Sequence, residues 1–327
     1  SDIITLPYCI PKQEAIVAVS AGLRPYREGG IRIEKEIRGG KTFYHDYGHG
    51  GGGISLAYGC AQHVIKTMFL PQGVSKEEPV AVLGSGIIGL TTCPINIEGY
   101  KINLYAELIP FERTSTQPEI TTTVAAGYWM PLKVDKKGKP FSLQSPLGIT
   151  TLKLIVPEEN FKQLGVEKLR TYSVNDDEQL TFMPIEGIIE PKSCRITFGD
   201  GKVHNATTFE TYVIESENTF PSSLNDYAIQ ASSISFEDDW IPVGSAYFEI
   251  GSYLQLFGFG AGKIFKDNKL KGIKGHVFKI DLPKELRDFV LFMKVSNQWI
   301  LQVPQRQTNK LAMGISYEEG KTDPFPE

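Results

Sequence analysis

The chain has 327 residues, 41% hydrophobic and 22% charged, with a formal net charge of -4. That length supports one large domain or two ordinary ones, each with its own core, and the composition excludes disordered and fibrous classes. No basic block marks a nucleic-acid partner, no apolar run approaches the roughly 20 residues of a membrane span, and residues 1–10 lack the build of a signal peptide, so a soluble, cytoplasmic protein of two lobes is expected.

Cys9, Cys60, Cys93 and Cys194 lie far apart, with no C-x-x-C and no histidine at metal-ligand spacing. They read as reduced packing thiols, and the spacing argues against a structural metal. In chain order, "AGLRPYREGG" (21–30) sets Arg24 between Leu23 and Pro25, where taken alone it reads as a surface arginine. "IRIEKEIRGGKTFYHDY" (31–47) reads as a hairpin with Gly39 and Gly40 at its turn. In "HDYGHGGGGISLAYGC" (45–60), Gly48 and Gly50 to Gly53 lead into a stretch with Ile54, Ala57, Ala61, Val64, Ile65 and Met68 at helical spacing. A glycine loop feeding a helix offers free N–H groups to an anion, and it serves equally as a flexible turn. His45 and His49 read as structural.

After a polar link, "FLPQGVSKEEP" (69–79), the all-apolar run Val80 to Leu83 has the pattern of a strand buried on both faces of a parallel sheet. Gly84, Gly86 and Gly89 then give G-x-G-x-x-G. The first glycine allows the tight turn, the second lets backbone approach a pyrophosphate, and the third lets the helix pack on the strand. "KINLY" (101–105) is a second strand, closely followed by Glu107. A carboxylate there accepts both hydroxyls of an adenosine ribose and repels a 2′-phosphate, which disfavours NADP. The pattern reads as a dinucleotide site rather than a turn that merely resembles one. Pro94 falls two turns into the predicted helix and should kink it at a cost of about 3 kcal/mol.

Taken together these residues resemble the D-amino-acid oxidase family of FAD enzymes, in a changed order. In that family the strand-glycine-helix unit opens the chain and is followed by a stretch similar to "TTTVAAGYWMPL" (121–132), whereas a segment similar to 20–66 closes it. Here the closing segment comes first, so the chain resembles a circularly permuted member. "GSYLQLFGFGAGKIFKDNKLKGIKGHVFKIDLP" (251–283) is similar to the family's middle region, and 150–204 matches poorly.

The resemblance implies an α/β, Rossmann-like FAD-binding domain with a central parallel sheet (20–149 and 205–275). It also implies a mainly antiparallel α+β substrate-binding domain (1–19, 150–204 and 276–327). Gly84, Ser85, Gly86, Ile87, Ile88 and Gly89 would cradle the FAD pyrophosphate, with Glu107 on the ribose and Ile234 meeting the adenine by backbone. Thr121, Thr122, Ala126, Gly127 and Tyr128 would run beneath the flavin and its phosphates, and Gly50, Gly51, Gly53, Ile54 and Ser55 would face the isoalloxazine. Arg24 matches the family's carboxylate-binding arginine, and the Gly51 carbonyl would receive the substrate amine.

The implied reaction is oxidative deamination of a D-amino acid, with hydride passing from Cα to flavin N5 and oxygen reduced to peroxide. The products are a 2-oxo acid and ammonia. Two tyrosines of the family fall at Asn297 and Leu301, with Trp299 between them, so carboxylate binding or the pocket differs here. Arg27 and Arg306 stand as contacts for an acidic substrate or as solvated charges. A D-aspartate-type oxidase, an amino acid dehydrogenase and a flavoprotein without turnover are the alternatives. A plain NAD-binding module would leave the glycine-rich segment unused.

Overall fold

The computed structural model describes residues 2–8, 10–92, 99–110, 114–130, 146–174, 182–215, 229–233, 252–255, 265–295, 298–314, 316, 318–321, 323, 325 and 326. Two sheets carry them. The larger contains β1 (Ile3–Thr5) and β2 (Ile16–Arg27), and the smaller is entered by β3 (Arg32–Arg38) and β4 (Lys41–Tyr47). Gly39 and Gly40, with φ of 58° and 75°, form the two-residue turn between β3 and β4, as the sequence predicts. Both central residues at positive φ match the right-handed twist of a hairpin.

The glycine-rich segment makes one tight turn over Gly50–Gly52 and runs into helix α1 (Gly53–His63), continued by a π-helical turn, Val64–Phe69. Of the apolar positions read from spacing, Ile54, Ala57, Ala61, Val64 and Ile65 are buried and Met68 is half-buried, but the helix is not one-sided, since every residue from Ile54 to Ala61 is buried. At Gly59 a Cβ would stand 1.9 Å from the Leu147 carbonyl oxygen. Only glycine lets α1 approach the helix that covers it so closely. The chain then re-enters the sheet as β5 (Val80–Leu83), buried at every position, followed by α2 (Ile87–Thr92) and β6 (Ile102–Ala106). Pro94 lies outside the described residues.

Three further helices follow: α3 (Thr121–Val124), α4 (Pro146–Ile155), which covers α1, and α5 (Phe161–Leu164). The remaining strands are β7 (Val166–Val174), β8 (Lys192–Thr197), β9 (His204–Ile214), β10 (Ile229–Ser233), β11 (Ser252–Gln255) and β12 (Leu270–Asp281). After them come β13 (Phe289–Val295), β14 (Gln298–Gln305), β15 (Lys310–Met313) and β16 (Glu318–Glu319).

The six-stranded sheet runs β10-β6-β5-β11-β4-β3 and is parallel except where β3 meets β4. Its parallel strands therefore end on one edge, which gathers Gly84 after β5, Glu107 after β6 and Gly48 after β4. In open parallel sheets the crevice outside those carboxyl ends is where ligands sit.

The ten-stranded sheet runs β1-β8-β9-β7-β13-β14-β15-β12-β16, with β2 also on β12. It is antiparallel except at β1–β8 and β7–β13. Strands β2 and β9, whose residues fall mostly within 20–149 and 205–275, hydrogen-bond into this sheet.

The largest core joins the two sheets. Val80, Val82 and Leu104 pack with Ile54 and Ala57 of α1 and Ile65 of the π-helical turn after it, and the same cluster includes Trp129, Phe209 and Ile214. A second core, with Leu6, Ile196, Leu291 and Leu311, lies within the larger sheet. Among the described residues no helix is long and apolar enough to cross a membrane.

Candidate functional site

Two glycine turns face each other at the edge of the parallel sheet. Gly84, at φ 115°, turns the chain out of β5, and its N–H is held by the Tyr105 carbonyl of β6 at 2.7 Å. Ser85 Oγ donates to the Leu108 carbonyl, which fixes the turn to the segment carrying Glu107. At Gly89 a Cβ would lie 1.8 Å from the Gly84 carbonyl oxygen, so the third glycine is required for the helix to close on the turn. Among the described residues, a Cβ at Gly86 would find only Thr122 Oγ1, at 3.6 Å. Gly86 is therefore bare for room beyond the chain, not for packing within it. The Ile87 N–H donates to Thr122 Oγ1 at 2.8 Å, and Ile87, Ile88 and Gly89 form the buried first turn of α2.

The opposite turn belongs to α1. Gly48 and Gly50 have φ of 91° and 56°, and a Cβ on Gly53 would touch Ile87 Cγ2 at 3.5 Å. The start of α1, with Ile54 and Ser55 buried, thus meets the start of α2. Thr121 Oγ1 donates to the Leu23 carbonyl at 2.7 Å, which brings α3 against β2 beside Arg24. Beyond α3, Ala126 leads to Gly127, at φ 72°, where a Cβ would fall 2.0 Å from the Ile214 carbonyl oxygen. The Gly127 carbonyl accepts from the Ile214 N–H at 2.9 Å, and Tyr128 Oη lies 3.0 Å from Thr171 Oγ1. Burial pushes the Tyr128 phenol up. Glu107 is exposed just beyond the end of β6. Ile234 lies outside the described residues, next after β10.

Arg24 lies in β2 opposite Ile273 of β12. A Cβ on Gly51 would stand 3.6 Å from Arg24 Cδ and 3.8 Å from its Nε, and a Cβ on Gly275 would collide with the guanidinium at 2.2 Å. The side chain therefore crosses Gly275 and reaches toward the glycine turn. Its Nη1 donates to the Ser316 carbonyl at 3.1 Å, while Ser316 Oγ accepts from the His276 N–H at 2.7 Å. Arg24 is thus not an isolated surface charge. Gly275, His276 and Ser316 were missed by sequence reasoning. Gly275 carried a signal, since glycine inside a strand marks a close backbone approach, whereas nothing local marks Ser316.

The other arginines are held elsewhere. Arg27 Nε binds Asp267 at 2.8 Å, and Tyr47 Oη donates to the same carboxylate oxygen at 2.8 Å. Burial pushes the Asp267 carboxyl up, but the hydrogen bonds from Arg27 and Tyr47 outweigh it and hold the group below its usual range. Burial also pushes the Tyr47 phenol up to about 12. Arg306 sits 3.3 Å from Glu167 and 3.6 Å from Asp288. Both arginines, read as solvated charges or as contacts for an acidic substrate, are ion-paired within the fold. His45 is fully buried, with Nε2 2.9 Å from Glu36 on the neighbouring strand, which is a structural placement. Leu301 lies in β14 opposite Phe292, while Asn297 is outside the described residues.

The parts that a dinucleotide needs are present: a bare Gly86, a glycine at positive φ leaving the strand, and a carboxylate at the end of the next strand. The open backbone at Gly51 and Gly86, where a Cβ would meet no backbone atom of the other described residues within 4 Å, fits a flat cofactor lying between the turns.

No protein-family model matches the chain. Over 53 residues it is 40% identical to a D-amino-acid oxidase from Fusarium vanettenii, covering 16% of this chain and 15% of that protein. Over 50 residues it is 48% identical to a D-aspartate oxidase from Talaromyces thermophilus (15% and 14%), and over 43 residues 51% identical to a D-amino-acid oxidase from Rubrobacter xylanophilus (13% of each). The matched stretches thus span about one seventh of these relatives' length. Among solved structures, a glycerol-3-phosphate dehydrogenase from Bacillus halodurans complexed with FAD aligns with 82% of this chain and 52% of its own, at a TM-score of 0.45 and 12% identity.

Proposed function

We propose that this chain, similar over short stretches to D-amino-acid oxidases, is an FAD-dependent oxidase that deaminates a D-amino acid to a 2-oxo acid and ammonia. One observation carries the reading: the Arg24 side chain lies within 3.6 Å of the Cβ position of Gly51, so a guanidinium and a bare backbone peptide address one place beside the α1 turn. FAD bound between the two glycine turns would supply the acceptor for the substrate's Cα hydride and the route by which oxygen is reduced to peroxide.

The chain's own groups do the rest. Arg24 grips the substrate carboxylate through parallel charge-assisted hydrogen bonds, which fixes the direction of the Cα–H bond. The Gly51 carbonyl accepts an N–H of the neutral amine, so no side-chain base is called for. The N-terminus of α1 places its positive dipole end where negative charge gathers on the cofactor. Gly84 to Gly89 would hold the pyrophosphate, Glu107 the ribose and Ile234 the adenine, with Thr121, Thr122, Ala126, Gly127 and Tyr128 on the flavin side.

Because Arg27 and Arg306 are ion-paired, a neutral side chain on the substrate is favoured over an acidic one. We read the order of the motifs as a circular permutation, since β4 precedes β5 in the chain yet lies beyond β11 from it in the sheet. The division into 20–149 with 205–275 and the remaining segments belongs to the same reading. Incubation with D- and L-enantiomers of neutral amino acids tests the activity. Equal yields of ammonia and peroxide from D-enantiomers alone are expected, and a flavin-loaded protein that releases neither from any of them would refute it.

A further inference from the structure

Behind the glycine turn, three buried side chains converge. Asp46 is the penultimate residue of β4, His49 follows Gly48, and Cys60 lies in α1. His49 Nε2 lies 3.2 Å from Asp46 Oδ1 and 3.4 Å from Cys60 Sγ, and the three ligand atoms all lie within 4.8 Å of one another. Asp46 and Cys60 are 0% exposed. Among the described residues, neither carboxylate oxygen of Asp46 has a hydrogen-bond partner. A buried carboxylate left so costs several kcal/mol unless something compensates it.

A hydrogen-bonded triad does not account for the geometry. His49 Nε2 and the Cys60 thiol can hydrogen-bond to each other, but that pair leaves both Asp46 oxygens without a donor. A cation does account for it. Tetrahedral zinc with nitrogen, oxygen and sulfur ligands sets the donor atoms about 3.3 Å (N to O) and about 3.5 Å (N to S) apart. Carboxylate, thiolate and neutral imidazole sum to two negative charges, which a divalent ion cancels, leaving a buried site of no net charge. Metal entry would displace the proton of the Cys60 thiol.

We propose that Asp46, His49 and Cys60 form a buried site for a divalent transition metal of the zinc class. The donor set selects against magnesium and calcium, which take oxygen. The role is structural: His49 and Cys60 bracket Gly50 to Gly53, so the ion clamps the turn that feeds α1. Cysteine spacing gives no hint of the site, because a single cysteine joins an aspartate and a histidine 14 and 11 residues earlier.

The test uses the untagged protein grown with cobalt in place of zinc. About one cobalt per chain is expected, with ligand-field absorption beyond the flavin bands and one sulfur scatterer at about 2.3 Å in the X-ray absorption spectrum. Cys60→Ala should lower metal content at least about tenfold. Asp46→Asn should lower the thermal midpoint if a cation is held, and raise it if the carboxylate is merely buried and uncompensated. Protein free of metal after growth in supplemented medium, metal bound without sulfur, or a raised midpoint in Asp46→Asn would each overturn the site.

Discussion

Two glycines of one motif have opposite tasks, and alanine separates them. At Gly89 an added Cβ would lie 1.8 Å from a carbonyl oxygen, so Gly89→Ala should cost about 1–3 kcal/mol and lower the thermal midpoint of the FAD-free protein. At Gly86 the nearest atom is 3.6 Å away, so Gly86→Ala should leave that midpoint within about 1 °C while weakening FAD binding. Thermal melts with and without FAD distinguish the two, and equal destabilisation of the FAD-free protein would contradict the assignment. Arg24→Met removes the proposed charge-assisted contact with the substrate carboxylate. It should cost about 3 kcal/mol, more than a hundredfold in kcat/KM, with FAD retained. At this scale the sequence was informative wherever chemistry demands a residue type, as at Gly84, Gly86 and Gly89. It was silent where a long-range neighbour decides, as at Ser316, whose carbonyl holds Arg24 across 292 residues of chain.

Elements are held in place by a few polar ties, and these set the pH behaviour. Asp267 joins Arg27 of β2 to Tyr47 of β4, and its carboxyl is held below the usual range. A carboxylate whose folded pKa is depressed contributes stability above its unfolded pKa, near 3.9, and loses it as pH falls through the folded value. Asp267→Asn should therefore lower the thermal midpoint at pH 7, and the gap to the parent should close under acid conditions. A gap that stays constant with pH would contradict it. The hairpin β3–β4, helix α1 and strands β5 and β6 were all legible, because each repeats a local period or carries its own turn residues. The antiparallel partners of β2 were not, since pairing with β12 brings together residues about 250 positions apart.

At the scale of the whole molecule, the permuted reading makes the link from Phe69 to Pro79 stand where the order of the resembled family would begin a chain. Gly73, at φ 64°, ends the helical run, and residues 75–78 are exposed. A protease site inserted among residues 75–78 should be cut in the folded protein without loss of FAD, and loss of the cofactor on cutting would count against the permuted reading. We propose that the α1 turn and Arg24 together form an amino-acid seat against a flavin. The visible spectrum under anaerobic conditions, before and after a neutral D-amino acid is added, tests this for the parent and for Arg24→Met. Flavin bands should bleach in the parent and persist in the variant at the same substrate concentration. Bands that persist in both, or bleach equally in both, would contradict it.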